Sequence, residues 1–327
     1  VKSEQRVKIS GTGGYLPARR VTNDDLAAEL DTSHDWIVSH TGICARHIMA
    51  ADESPCDMAE RAARVALERA GVAAADLGYI IVATTTQDYS GFPSTACLLQ
   101  GRLGATQAGA LDISAACTGF VYSLEVARGL MHCDRGARPT LVVGVEAMSR
   151  IVDWKDRNTC VLFGDGAGAA VLELTSEAGR GILASYLRAE GSNPDTLYCG
   201  GGLRTQPPVT EARIAHMNGR VVFGFAVKAM AEVVLHFLET LQLSPEQVSF
   251  VVPHQANIRI LQAAQKRLPI APEKFFMNIA EVANTSAASI PLALAELDRS
   301  GRLRAGDLVI TTGFGAGLTY GGNAILW

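Results

Sequence analysis

The chain has 327 residues, 48% hydrophobic and 19% charged, a balance that excludes disorder and makes a large buried core feasible. Its 29 basic and 33 acidic residues leave a formal charge of −4, which argues against a dedicated nucleic-acid binder. No uninterrupted apolar run approaches the ~18 residues that span a bilayer, and Val1 to Ser10 lack the apolar stretch of a signal peptide. The expectation is a soluble, cytoplasmic, globular protein with no membrane partner.

Seven cysteines, at 44, 56, 97, 117, 133, 160 and 199, form no CxxC pair and no His/Cys cluster at zinc-ligand spacing. The odd count fits free thiols in a reducing compartment, with no bound metal. Most of them read as small core hydrophobes.

Along the chain, short apolar runs alternate with Ala-rich helical stretches. A helix is predicted over about Met58 to Ala70, stopping at Gly71, followed by a strand from Tyr79 to Thr84. Further strands are predicted at Leu141 to Val145, Gly168 to Leu174, Phe250 to Pro253 and Leu308 to Thr312. Runs without polar alternation indicate sheets covered on both faces, hence an α/β architecture.

A repeat underlies this order. The stretch ERAGVAAADLGYIIVATTT from 68 matches ETLQLSPEQVSFVVPHQAN from 239 in the sequence helix end, acidic loop, strand, polar segment. Cys117 and Asn284 lie 284 − 117 = 167 apart, and the strands at 141 and 308 share that offset. Each half closes on a Gly-rich segment and a strand. The pattern favours an internal duplication with halves at 1–175 and 176–327.

Three residues could do chemistry. Cys117, in LDISAACTGF, sits where a strand gives way to an amphipathic helix. Free backbone N–H groups and the positive helix end there favour thiolate. It is either a nucleophile or a buried structural thiol. His254, in VVPHQANIRI, follows a buried strand, where open α/β folds place function; a core histidine is the alternative. Asn284, in VANTSAAS, suits a helix N-cap as well as a catalytic amide. GDGAG (164–168) and GFGAG (313–317) lack the phosphate-loop pattern, so they read as tight turns with close backbone approach. A backbone oxyanion donor is a sharper option for GFGAG.

The strings DTSHDWIVSHTGI, DISAACTGF, LFGDGAGAAVL, VPHQANIRI, NTSAASIPLALAE and GFGAGLTYGG, in this order over nearly the whole chain, resemble the β-ketoacyl-acyl-carrier-protein synthase III family. The resemblance implies a thiolase fold of two duplicated halves in five αβαβα layers, usually a homodimer. It implies decarboxylative condensation of an acyl-CoA primer with malonyl-acyl-carrier protein, initiating fatty acid or related synthesis, with no tightly bound cofactor. On the same ground Cys117 would be the nucleophile, His254 and Asn284 would stabilise the malonyl enolate, and the N–H groups of Cys117 and Ala316 would form the oxyanion hole. An amide fits at 284, because a carboxylate would repel that enolate.

Trp36, Arg157 and Arg220 would hold coenzyme A by the same resemblance, and Phe92 would end the acyl pocket of a partner subunit. Arg259, Lys266 and Arg267, at spacings that can share a helix face, would meet the acidic carrier protein. Two positions depart from the family pattern: His40 replaces an arginine and Gly224 a lysine near the coenzyme phosphates. Weaker or pH-dependent binding of free coenzyme A thioesters is the expectation. Segment 191–216 matches the family poorly and is expected to shape substrate access. A specialised relative loading an unusual primer is one alternative, and a carrier-protein-binding module without turnover is another.

Overall fold

The computed structural model describes residues 5–134, 138–202 and 213–327, so the access segment lies partly outside the described residues. Helix Pro55–Ala70 begins three residues before the expected start, because Ser54 and Asp57 form a capping box and Pro55 suits the first turn. It ends at Gly71, whose φ of 66° is the left-handed conformation that glycine adopts without penalty.

Two mixed sheets form the frame. The first orders its strands Arg6–Tyr15, Asp165–Thr175, Thr140–Ala147, Tyr79–Ala83 and Gly109–Ile113. The second orders Val248–Pro253, Leu308–Gly315, Thr319–Leu326 and Gly181–Ala189. Three parallel strands at one side of the first sheet, and a parallel pair at one side of the second, give way to antiparallel neighbours. Each predicted strand is present; Tyr79–Ala83 stops one residue short of its expected end, and the other four extend beyond their expected bounds.

Helices Gly119–Cys133 and Ser289–Arg299 lie between the sheets and touch both. Helices Pro55–Ala70 and Thr95–Leu103 cover the outer face of the first sheet, and Gly219–Thr240 covers the second. This gives five layers, αβαβα. The central layer carries a shared apolar core with Phe120, Leu124, Ile290 and Leu294 at 1% exposure or less. Truncating a side chain such as Phe120 to alanine there costs about 3–5 kcal/mol.

Several expectations need correction. Of the seven free thiols only Cys56 and Cys160 are buried, while Cys97, Cys133 and Cys199 are exposed. Gly166 and Gly168 of GDGAG and the start of GFGAG are not tight turns but parts of strands Asp165–Thr175 and Leu308–Gly315. Their close-approach role does hold: a Cβ on Gly168 would come within 2.5 Å of the Leu292 nitrogen. Helix Gly219–Thr240 is long and apolar enough to cross a membrane by length and composition, although no unbroken apolar run flags it, and 56% of its most apolar window is buried.

Candidate active site

Cys117 sits in the 3-10 turn Ala116–Thr118, between strand Gly109–Ile113 and helix Gly119–Cys133. Ala116, immediately before it, holds φ at +46°, a conformation a side-chain-bearing residue adopts only when its surroundings enforce it. The surroundings are visible. Thr118 donates to the Ala115 carbonyl at 2.7 Å, and its hydroxyl meets that of Thr319 at 2.8 Å. Thr319 in turn donates to the carbonyl of Ala316 at 3.1 Å. Thus the GFGAG segment is tied to the Cys117 turn, and a Cβ on Gly315 would lie 2.7 Å from the Cys117 nitrogen.

Asn284 enters from the second half and is clamped by the first. Its N–H donates to the Leu162 carbonyl at 2.9 Å, and its carbonyl accepts the Gly164 N–H at 3.0 Å. Here the first glycine of GDGAG finds its use, as a backbone clamp rather than a phosphate cradle. Asp165 braces the next step, accepting N–H bonds from Met49 and Ser149 at 2.8 Å. Asn284 is not a side-chain N-cap of the following helix, whose cap position, Ala288, carries no such bond.

His254 follows strand Val248–Pro253 and donates its N–H to the Thr312 carbonyl at 2.8 Å. The ring is 1% exposed and meets Phe314 edge-on at 5.5 Å. Its Nδ1 is buried with no partner, which leaves Nε2 as the nitrogen for the cavity. Burial pushes its pKa down to about 3, so the ring is neutral at pH 7.

Burial pushes the Cys117 thiol up to about 12; the Ser286 hydroxyl lowers it and the Glu146 carboxylate raises it further. This works against the expected thiolate, with burial of the sulfur opposing the helix end, although the residue as a whole is only half-buried at the cavity wall.

Cys117, His254, Asn284 and Ala316 line one cavity of about 860 Å³. Trp36 and His40 line it too, on helix His34–Thr41. Their rings stack at 4.3 Å, and the His40 Nδ1–H donates to the Trp36 carbonyl at 2.7 Å. Arg157 does not line the cavity but lies over the Trp36 ring, 5.2 Å from its centroid. Arg220 is exposed beside the lining residue Gly219, and Gly224 is exposed with open space where a side chain would go. Phe92 is 91% exposed and away from this chain's own cavity.

Arg259, Lys266 and Arg267 are exposed, but they do not share one helix face. Helix Ile258–Gln265 stops before Lys266, and the Arg259 side chain turns back to the Ser39 carbonyl at 3.0 Å. Two residues that sequence reasoning missed are Glu146 and Ser286. Ser286 stands inside NTSAAS, and Glu146 lies one position past the predicted strand end.

A family model described as 3-oxoacyl-[acyl-carrier-protein] synthase III matches residues 111–191, which include Cys117. Its C-terminal counterpart matches 238–327, which include His254 and Asn284. A β-ketoacyl-[acyl-carrier-protein] synthase III of Caldanaerobacter subterraneus subsp. tengcongensis is 46% identical over 324 residues, covering 98% of this chain and 97% of the relative. One of Thioalkalivibrio sulfidiphilus is 48% identical over 316 residues, covering 96% and 97%. The crystal structure of 3-oxoacyl-[acyl-carrier-protein] synthase III from Aquifex aeolicus VF5 superposes with a TM-score of 0.91 at 44% identity, over 98% of this chain and 100% of that one.

Proposed function

This chain belongs to the 3-oxoacyl-[acyl-carrier-protein] synthase III family, and from that premise we propose that it condenses an acyl-CoA primer with malonyl-acyl-carrier protein to begin fatty acid synthesis. The observation that carries the residue assignment is convergence: Cys117, His254 and Asn284, from three separate segments, line one cavity. Cys117 attacks the primer thioester and becomes acylated, and coenzyme A leaves. Malonyl-acyl-carrier protein then enters, and loss of carbon dioxide puts charge on its thioester oxygen. Neutral His254 and the Asn284 amide donate hydrogen bonds to that oxygen, and the enolate carbon attacks the acyl-Cys117 carbonyl. The N–H groups of Cys117 and Ala316 hold the resulting oxyanion.

Neutrality of His254 supports this role. An imidazole with a pKa near 3 is a poor base but still donates one N–H, which is what an enolate oxygen needs. Trp36, braced by His40 and Arg157, offers a flat surface for the coenzyme's adenine, with Arg220 near the mouth. Exposed Phe92 suits insertion into the acyl pocket of a second copy, in a homodimer. Exposed Arg259, Lys266 and Arg267 suit the acidic carrier protein, and a cytoplasmic location follows from such partners.

Intact-protein mass spectrometry after adding acetyl-CoA tests the first step. A 42 Da gain lost in Cys117→Ala supports acylation there. Analysis of the product formed with malonyl-acyl-carrier protein then separates condensation from simple acyl transfer.

A further inference from the structure

A charged side chain lies buried behind the nucleophile. Glu146, on strand Thr140–Ala147, is 0% exposed, and no cation pairs with its carboxylate among the described residues. Its oxygens are ringed by donors: the Thr85 N–H at 3.1 Å, and the hydroxyls of Thr85 at 3.1 Å, Thr86 at 2.6 Å and Ser286 at 3.0 Å. The Thr86 hydroxyl accepts the Ala147 N–H, which directs its own proton to Glu146. The ring of donors is what an ionised carboxylate requires. Burying such a charge without a cation is costly, so its presence calls for a reason.

The reason is on the other side of Ser286. The Cys117 Sγ–H donates to the Ser286 Oγ at 3.4 Å, and the Ser286 Oγ–H donates to the Glu146 Oε1 at 3.0 Å. Ser286 is held at φ +48°, and its N–H is fixed on the Asn284 side-chain oxygen at 2.9 Å. We propose that Ser286 and Glu146 form a proton relay that accepts the Cys117 proton during primer loading. This rests on the reading of Cys117 as the acylated residue.

The step balances. The Cys117 S–H bond breaks as its proton passes to the Ser286 Oγ, while the Ser286 proton forms an O–H bond with the Glu146 Oε1. The thiolate sulfur attacks the thioester carbonyl, the bond from that carbon to the coenzyme sulfur breaks, and the proton ends on the departing thiol. Glu146 returns to its ionised form. One negative charge is present throughout, so no new charge pair is created in a water-poor cavity. His254 is ill suited to the same task, since burial holds it near 3. Burial raises the Glu146 carboxyl, which makes it a better proton acceptor than an ordinary carboxylate.

The titratable groups around Glu146 are few. Cys117 lies beyond Ser286, and the Cys199 thiol is raised chiefly by burial, with the Glu146 charge adding to it and Arg213 opposing it. Arg213 donates at 2.8 Å to the carbonyl of Thr85, itself one of the donors to Glu146. His254 faces the same cavity.

The test is single-turnover acylation of Cys117 by acetyl-CoA, followed by mass spectrometry from pH 5 to 10, for wild type, Glu146→Gln and Ser286→Ala. Glu146 acts through Ser286, so the pH profile is the readout that a merely structural role would not move. Wild type is expected to show an acid limb leading to a plateau. Both variants are expected to acylate about 10²-fold more slowly at pH 7, with a rate climbing with pH as hydroxide titrates the thiol. A folded variant of either kind with the wild-type rate and profile overturns the relay. If neither variant folds, wild type decides: a rate that climbs through the range without a plateau overturns it, and a plateau supports it. Acylation that persists in Cys117→Ala overturns the nucleophile assignment instead.

Discussion

The side-chain oxygen of Asn284 accepts the backbone N–H of Ser286 at 2.9 Å. A backbone N–H can only donate, so the contact fixes which end of the amide is oxygen. The NH₂ end is left for the cavity. Asn284→Asp keeps one oxygen on Ser286 but presents a second, repelling oxygen to the enolate. Malonyl decarboxylation should fall by at least about 10²-fold while Cys117 acylation survives. Radiolabelled carbon dioxide release and intact mass report the two steps separately. Loss of both together would contradict the division of roles.

Gly315 has no room for a methyl group, since a Cβ there would lie 2.7 Å from the Cys117 nitrogen. Gly315→Ala must push the cysteine turn away from Ala316, spreading the two proposed oxyanion donors. A stability loss of about 1–3 kcal/mol and a fall in acylation of at least tenfold are expected. Thermal melting and acylation kinetics check both.

The Cys117 thiol, pushed up to about 12, is neutral at pH 7 in the resting protein. Iodoacetamide should therefore label exposed Cys97, Cys133 and Cys199 before Cys117. Labelling of Cys117 should rise with pH. Peptide mapping over a time course settles the order, and first labelling of Cys117 at pH 7 would show that its sulfur is better solvated than its burial indicates.

This thiol also marks what the sequence could and could not show. Strand Tyr79–Ala83 and the helix closing at Gly71 were legible because apolar runs and a terminal glycine are local signals. Cys117 and His254 were legible because each follows a strand within a distinctive string, and Asn284 by its string alone, since the short helix Ile279–Val282 precedes it rather than a strand. Desolvation of the sulfur was not, since it depends on side chains far apart in sequence. The same holds for Glu146: one acidic residue ending an apolar run gives no hint that Thr84 to Thr86, some 60 positions earlier, will surround it. The glycines of GDGAG misled for a related reason. Gly168 makes room for the backbone at Pro291 and Leu292, a partner from the other half of the chain.

His254 links catalysis to acid stability. Its pKa is about 3 when folded and about 6.5 when unfolded, so the unfolded chain binds the proton more readily. Stability from the buried neutral ring is complete above pH 6.5 and is lost as pH falls toward 3. Between pH 6.5 and 5 the loss is about 2 kcal/mol. Raised Glu146 works in the opposite sense, becoming less costly as it protonates. The clean comparison is therefore wild type against His254→Ala, whose melting temperature should depend less on pH over that interval. Equal slopes would mean that the ring is hydrated or protonated in the folded protein.

His40 is the residue that braces Trp36, through ring stacking at 4.3 Å and a bond to the Trp36 carbonyl at 2.7 Å. With Nδ1–H committed to that carbonyl, only Nε2 is left to face a coenzyme phosphate. An arginine at this position is charged at every working pH and presents a donor fork to a phosphate. Gly224 adds no charge nearby, although the space above it is open. His40→Arg should therefore bind acetyl-CoA several-fold more tightly at pH 8, and Gly224→Lys should add to the gain. Trp36→Ala should weaken binding about tenfold in every background, since the stacking surface itself is lost. Calorimetric dissociation constants at pH 6 and pH 8 for wild type, His40→Arg and the His40→Arg/Gly224→Lys double variant, each with and without Trp36→Ala, decide the matter. Identical affinities for wild type and His40→Arg at both pH values would show that Trp36 and the neighbouring arginines hold the coenzyme without help from position 40.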